Sequence, residues 1–166
     1  EDDEPGLEGK DFYSPQRSTF AAGMHAVVVE TDPDTAEITI LKYAVVHDCG
    51  RLINPMIVDG QIHGGVIQGI GEGLQEIAVY DDEAQLVTGT MMDYAVPKAS
   101  QMPHLEIAHT VTPSPVNPLG VKGCGEAGAI GSPPAVINAI TNALGVKDMP
   151  MPATPFTVWK TLHGHA

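Results

Sequence analysis

The stretch from Gly60 to Gly73 sets the tightest limit on how this chain can fold. Ile62, Val66, Ile70, Leu74 and Ile77 recur at spacings of four, four, four and three residues, which is one stripe of an α-helix. Yet Gly60, Gly64, Gly65, Gly69, Gly71 and Gly73 lie in the same stretch. Each interior glycine costs roughly 0.5–1 kcal/mol relative to alanine, so six together cost roughly 3–6 kcal/mol. A helix carries that penalty where something must come close to its axis. The residues alone leave two candidates open, another backbone or a ligand.

The rest of the chain supplies partners for such a helix. Met24 to Glu30 and Glu37 to Val46 are rich in Val, Ile, Thr and Tyr, with Thr31-Asp32-Pro33-Asp34-Thr35 between them, which predicts a hairpin. The runs Val27-Val28-Val29 and Ala44-Val45-Val46 predict that part of the hairpin is buried. Asp81-Asp82-Glu83 predicts a turn, and Leu105 to Thr112 alternates like a half-exposed strand. Pro113 to Pro118 reads as a stiff loop. Ser132-Pro133-Pro134 predicts a helix start, with Ser as cap and Pro in the first turn. Val136, Ala139, Ile140, Ala143 and Leu144 would form its buried face, and Gly145 would stop it. Thr154-Pro155 opens a last short helix holding Phe156, Trp159 and Leu162. The expected class is α+β: a mixed sheet with hairpin strands packed against a glycine-rich helix and C-terminal helices. Residues 1–18, acidic at their start, read as a tail or linker, and residues 19–166 as the folded portion.

Composition removes several function classes. The 166 residues hold 21 acidic against 8 basic side chains, a formal charge of −13. Phosphate binding needs clustered Lys and Arg, so nucleic acid and anionic membrane are not expected partners. No run approaches the roughly 20 apolar residues of a membrane span. Cys49 and Cys124 are far apart and belong to no C-x-x-C pair, which argues against a disulfide framework or zinc knuckle. His163 and His165 offer only two imidazoles, too few for a metal site. The chain begins with Glu1, which reads as a processed chain, a fragment or an excised domain.

The densest chemical signal is the segment from Gly120 to Gly131. Gly123-x-Gly125-x-x-Gly128 followed by Asp148 imitates a dinucleotide fingerprint. That fingerprint must follow a strand and open a helix directly, whereas prolines flank this segment on both sides. A phosphate loop fails as well, because no Gly-Lys-Ser/Thr occurs. What remains is one carboxylate, Glu126, between Gly125 and Ala127 on backbone that a ligand can approach. Buried there it would have a raised pKa suited to a general base; the plainer alternative is a solvated loop carboxylate.

Gly120-Val-Lys122-Gly123-Cys124-Gly125-Glu126-Ala-Gly-Ala-Ile-Gly-Ser-Pro-Pro-Ala-Val-Ile-Asn-Ala-Ile140 closely resembles the C-terminal segment of the molybdenum-binding large subunit of the xanthine oxidase family, in its aerobic carbon monoxide dehydrogenase-like branch. Asp48-Cys-Gly-Arg51-Leu-Ile-Asn54-Pro and Gly60-Gln61-Ile-His-Gly64-Gly65-Val-Ile-Gln68-Gly69-Ile-Gly71 match a second signature of that subunit, in the expected order and separation. The resemblance spans about Phe20 to Leu162.

The resemblance implies that the chain is part of a larger molybdenum-binding domain. The parent enzyme would be a hydroxylase oxidising carbon monoxide, an aldehyde or an N-heterocycle with water as oxygen source. It implies that Glu126 is the active-site base beside the metal. Gln68 would contact the pterin, with Gly64, Gly65 and Gly69 letting the helix approach it. Lys122, Gly123 and Gly125 would also lie against the cofactor, and no side chain of this chain is expected to bind the metal. The cofactor implied is molybdopterin cytosine dinucleotide with molybdenum, shared with the remainder of the large subunit. Iron–sulfur clusters and FAD would sit on an iron–sulfur subunit and a flavoprotein subunit. The implied location is cytoplasmic, with any membrane association made through partners. The competing function class is a non-catalytic assembly or scaffold module that keeps the fold. Either way, the isolated chain is expected to expose an apolar patch along the glycine helix.

Overall fold

The computed structural model describes residues 6–164. Residues 1–5 of the acidic start, and His165, lie outside them. Strand β1 (Ala22–Thr31) and strand β2 (Ile38–Asp48) form the expected hairpin. Asp32 makes its turn, the carboxylate Oδ1 accepting from the Asp34 and Thr35 amides at 2.8 and 2.9 Å. A register shift at Val28/Val29 lets β2 carry one extra residue, Leu41. That bulge switches the parity of the strand, so that Tyr43, Val45 and His47 all face inward and are buried. The outer face, with Met24, Val28, Leu41 and Val46, is exposed.

Helix α1 (Pro55–Leu74) begins where the sequence signals it, with Asn54 capping the Ile57 amide and Pro55 in the first turn. It ends at Leu74, one turn earlier than the hydrophobic stripe suggests, and Ile77 is exposed. A one-turn 3₁₀ helix at Ala99–Gln101 leads to strand β3 (Leu105–His109), which is shorter than its alternation predicts and pairs parallel to β2. The sheet order is β1-β2-β3, antiparallel then parallel, so the expected mixed sheet is present. Helix α3 (Pro155–Leu162) is capped by Thr154, but its buried residue is Val158, while Phe156, Trp159 and Leu162 are exposed.

The main departure from expectation is helix α2 (Ala127–Leu144). It starts before Ser132, and Pro133 and Pro134 lie inside it. Ser132 is therefore not a cap; its side chain is buried and its hydroxyl donates to the Val66 carbonyl of α1 at 3.0 Å. Val136 and Ile140 are fully buried as expected and Leu144 is half-buried, whereas Ala143 is exposed and Thr141 takes its place. Gly145, at φ +68°, ends the helix.

The two helices touch backbone to backbone. A Cβ on Gly128 would stand 2.6 Å from the Val66 nitrogen and 2.7 Å from the Ile62 oxygen. A Cβ on Gly65 would stand 2.9 Å from the Ala129 nitrogen. A Cβ on Gly69 would collide with Ser132 and Pro133. The glycines thus divide by face. Gly65 and Gly69 admit α2, while Gly60 and Gly64 point to open space. At the start of α1, Met56 and Ile57 are exposed, as is Ile53 just before it.

This division has a measurable consequence. Gly128→Ala is expected to destabilise the fold by about 1–3 kcal/mol, because only rigid backbone faces the new methyl. Gly64→Ala is expected to be neutral or stabilising by up to about 1 kcal/mol. Urea melts of the two variants check this, and equal effects would contradict the packing described.

Candidate active site

The site begins with a buried carboxylate at the end of β2. Asp48 Oδ1 accepts from the Gly50 amide at 2.9 Å, the Thr112 amide at 3.2 Å and the Lys122 ammonium at 3.0 Å, while Oδ2 accepts from the Thr110 hydroxyl at 3.2 Å. Hydrogen bonding from Thr112, with further bonds from Gly50 and Lys122, outweighs burial and holds its pKa well below the usual carboxylate range. Asp48 therefore gathers the loop after β3 onto the strand end. The Lys122 amide donates to the Cys49 carbonyl at 2.8 Å and the Arg51 amide to Gly120 at 3.0 Å. Gly50, at φ +70°, allows this approach, since a side chain there would meet the Gly120 carbonyl. Asn117 fixes Val121 from both sides, donating to its carbonyl at 2.9 Å and accepting from its amide at 3.1 Å.

The pinned loop delivers Glu126 to the N-terminus of α2. Glu126 occupies the cap position, its carbonyl accepting from Ile130 at 3.0 Å, yet its side chain makes no capping bond and is exposed. The burial considered for Glu126 from sequence is thus not found in this chain. Glu126 borders a cleft of about 620 Å³, lined also by Phe20, Gly23, His25, His47 and Gly125. Gly123 and Gly125 are exposed, with nothing near a Cβ on Gly123 and only the Gln61 amide, at 3.5 Å, near one on Gly125. The fingerprint-like glycines do open a helix, contrary to expectation, but β3 ends at His109 and no strand leads into them.

The other expected residues separate. Lys122 is mostly buried in its ion pair with Asp48. Gly65 and Gly69 lie against α2, because helix packing already uses the space that their missing side chains leave. Gln68 is exposed on α1 but does not line the Glu126 cleft; the α1 side chain that reaches the loop is Gln61. His63 bonds the Asp59 carbonyl at 2.8 Å, a local helix contact. Cys124 is half-buried and packs against the core.

Two histidines of the cleft were not singled out from sequence. His25 Nδ1 lies 2.8 Å from the Tyr43 hydroxyl. Burial lowers the pKa of His25, and the Ala127 backbone beside it acts in the opposite direction. His47 is 2% exposed, and burial followed by the neighbouring His109 lowers its pKa. His47 and His109 are register partners across β2 and β3. The buried His47 Nε2 and His109 Nδ1 lack a partner among the described residues, whereas His109 Nε2 meets Asp59 Oδ1 at 2.7 Å. Strand parity alone, His25 with Val27 and His47 with Val45, was the available signal for their inward facing. No cluster of three or more His, Cys, Asp or Glu able to hold a metal occurs among the described residues.

The profile of the molybdopterin cofactor-binding domain matches residues 1–103. The carbon monoxide dehydrogenase large chain of Hydrogenophaga pseudoflava is 41% identical over 98% of this chain and 20% of its own length. The nicotine 6-hydroxylase large subunit of Paenarthrobacter nicotinovorans is 45% identical over 97% of this chain and 20% of its own. Among solved structures, a Cu,Mo-CO dehydrogenase in its carbon monoxide reduced state superimposes with a TM-score of 0.90 at 34% identity, covering 98% of this chain and 21% of that one. The chain spans about a fifth of the length of these relatives.

Asp48 supplies a test of the loop's anchoring. Asp48→Asn leaves the Lys122 ammonium without its counter-charge and is expected to cost about 3 kcal/mol near neutral pH. Because folding depresses the Asp48 pKa, its stabilisation is complete above the unfolded value of roughly 3.9 and is lost as pH falls toward the folded one. Urea melts at pH 7 and pH 3 should show the gap between wild type and variant narrowing in acid. A gap independent of pH would contradict the anchoring role.

Proposed function

The chain belongs to the molybdopterin cofactor-binding domain family, and from that membership we propose that it is the part of a molybdenum hydroxylase large subunit that presents the active-site base, Glu126. The observation that carries the reading is the state of Glu126 itself. Glu126 is exposed and borders the cleft, on backbone left bare by Gly123 and Gly125, and its side chain takes no part in capping its own helix.

The residues present leave room for a bound cofactor. Gly123 and Gly125 are exposed, with open space beside Gly123 and the Gln61 amide beside Gly125, so a ligand can meet the backbone there at close range. When bound, the cofactor would supply a Lewis-acidic, redox-active molybdenum centre held through its own pterin. Glu126 would accept a proton at a carboxylate oxygen as water is activated for attack on an electron-poor carbon. Gln68 would offer its amide to the pterin from the open face of α1. Lys122, its ammonium taken by Asp48, would act by holding the backbone of the loop rather than as a free cation.

Nearly equal identity to a carbon monoxide dehydrogenase and a nicotine 6-hydroxylase argues that this segment serves chemistry common to both, and that the substrate is chosen by residues outside it. The substrate class is therefore a small molecule oxidised with water as oxygen source. The cofactor would be the cytosine dinucleotide form, and electrons would leave through iron–sulfur and flavin subunits.

Glu126→Gln in the assembled enzyme is expected to leave molybdenum content intact and to cut turnover by roughly 10²-fold or more, the scale of a lost general base. Unchanged turnover would remove the catalytic role and leave a scaffold.

A further inference from the structure

Helix α2 is least supported by its own hydrogen bonds in the half that carries Glu126. Pro133 and Pro134 have no amide hydrogen, so the Ala129 and Ile130 carbonyls lack the donors that a helix would give them four residues on. Support comes from the side instead. The Nε2 end of the His25 ring lies against the second turn, and any side chain on Gly131 would collide with its Nε2, Cδ2 and Cε1 atoms. The Ala127 backbone, one residue beyond Glu126, faces the same ring. Behind His25 stands Tyr43, 1% exposed, whose hydroxyl is 2.8 Å from Nδ1. Nδ1 and the Tyr43 hydroxyl thus share one hydrogen bond, and Nε2 is the ring nitrogen on the α2 side. Ser132, whose hydroxyl is fixed on Val66, also borders the Tyr43 hydroxyl.

We propose that His25, oriented by Tyr43, is a positioning residue that holds the first turn of α2 and so aims the Glu126 carboxylate. It rests on the reading of Glu126 as the base. The chain of contacts runs from the Val66 carbonyl of α1 through Ser132 and Tyr43 to His25 and the start of α2. It crosses both strands of the hairpin and reaches Glu126 without touching it. His25 borders the cleft but has its two ring nitrogens turned to Tyr43 and α2, so it acts through the helix.

The test uses the complete enzyme. Tyr43→Phe keeps the ring volume and removes only the hydroxyl; His25→Leu removes both contacts; His25→Gln keeps a polar amide near the Nε2 position. Tyr43→Phe and His25→Leu are expected to lower kcat by about 10- to 100-fold with KM little changed, the scale of a small misplacement of a reacting group, and His25→Gln to recover much of the loss. Amide hydrogen exchange of the large subunit should speed up across residues 126–131 in Tyr43→Phe while residues 136–144 keep their protection. In a Glu126→Gln background, Tyr43→Phe should add little further loss of kcat, because the group being aimed is gone. Unchanged exchange at 126–131, or full additivity of the two substitutions, would overturn the proposal. Faster exchange in Tyr43→Phe together with full turnover in Glu126→Gln would instead uphold the brace on the helix and reject Glu126 as what it serves.

Discussion

The backbone contact between α1 and α2 at Gly65 and Gly128 is the constraint on which the rest depends. Two helices with ordinary side chains between them lie 8–10 Å apart at their axes, whereas here each glycine sits against the other helix's main chain. This proximity lets the Ser132 hydroxyl reach the Val66 carbonyl and puts Gly69 beneath Ser132 and Pro133. It also fixes where α2 begins, and with it the position of Glu126. The helix penalty of the glycines is thus spent in three places, one of them Gly71 against Glu76 and Pro97. Gly65, Gly69 and Gly128 pack helix on helix, while Gly60 and Gly64 leave α1 bare on the side facing away from the core.

The loop that carries Glu126 is held at both ends by different physics. On one side a desolvated ion pair, Asp48 with Lys122, is satisfied by three further hydrogen bonds and ties residues 110–122 to the end of β2. On the other side, close van der Waals contact fixes α2. Between these anchors, residues 123–126 carry little of their own structure and present exposed backbone. A rigid frame around a bare edge is what a site needs when the reacting group is brought by a bound cofactor.

Much of the fold was legible in the sequence, and the misses have physical causes. The hairpin and α1 announce themselves through Asp32, Asn54-Pro55 and a regular hydrophobic period. The start of α2 does not, because Ser132-Pro133-Pro134 carries the same local signal as a helix N-terminus. Proline in a helix interior ordinarily costs about 3 kcal/mol, a penalty that only tertiary contacts such as Ser132 with Val66 can offset, and those are invisible locally. The family signatures pointed to Glu126, but they could not say which glycines face α2 and which face outward. The inward parity of Tyr43 and His47 was harder to read for a related reason: the Leu41 bulge that sets it leaves no mark in the composition.

The most direct measurement is the structure of the complete large subunit with its cofactor bound. The account predicts the Glu126 carboxylate as the protein group standing beside the molybdenum, with Gly123 and Gly125 against the cofactor and the Gly65–Gly128 contact as it is here. A cofactor seated on another face, with Glu126 left in solvent, would contradict it.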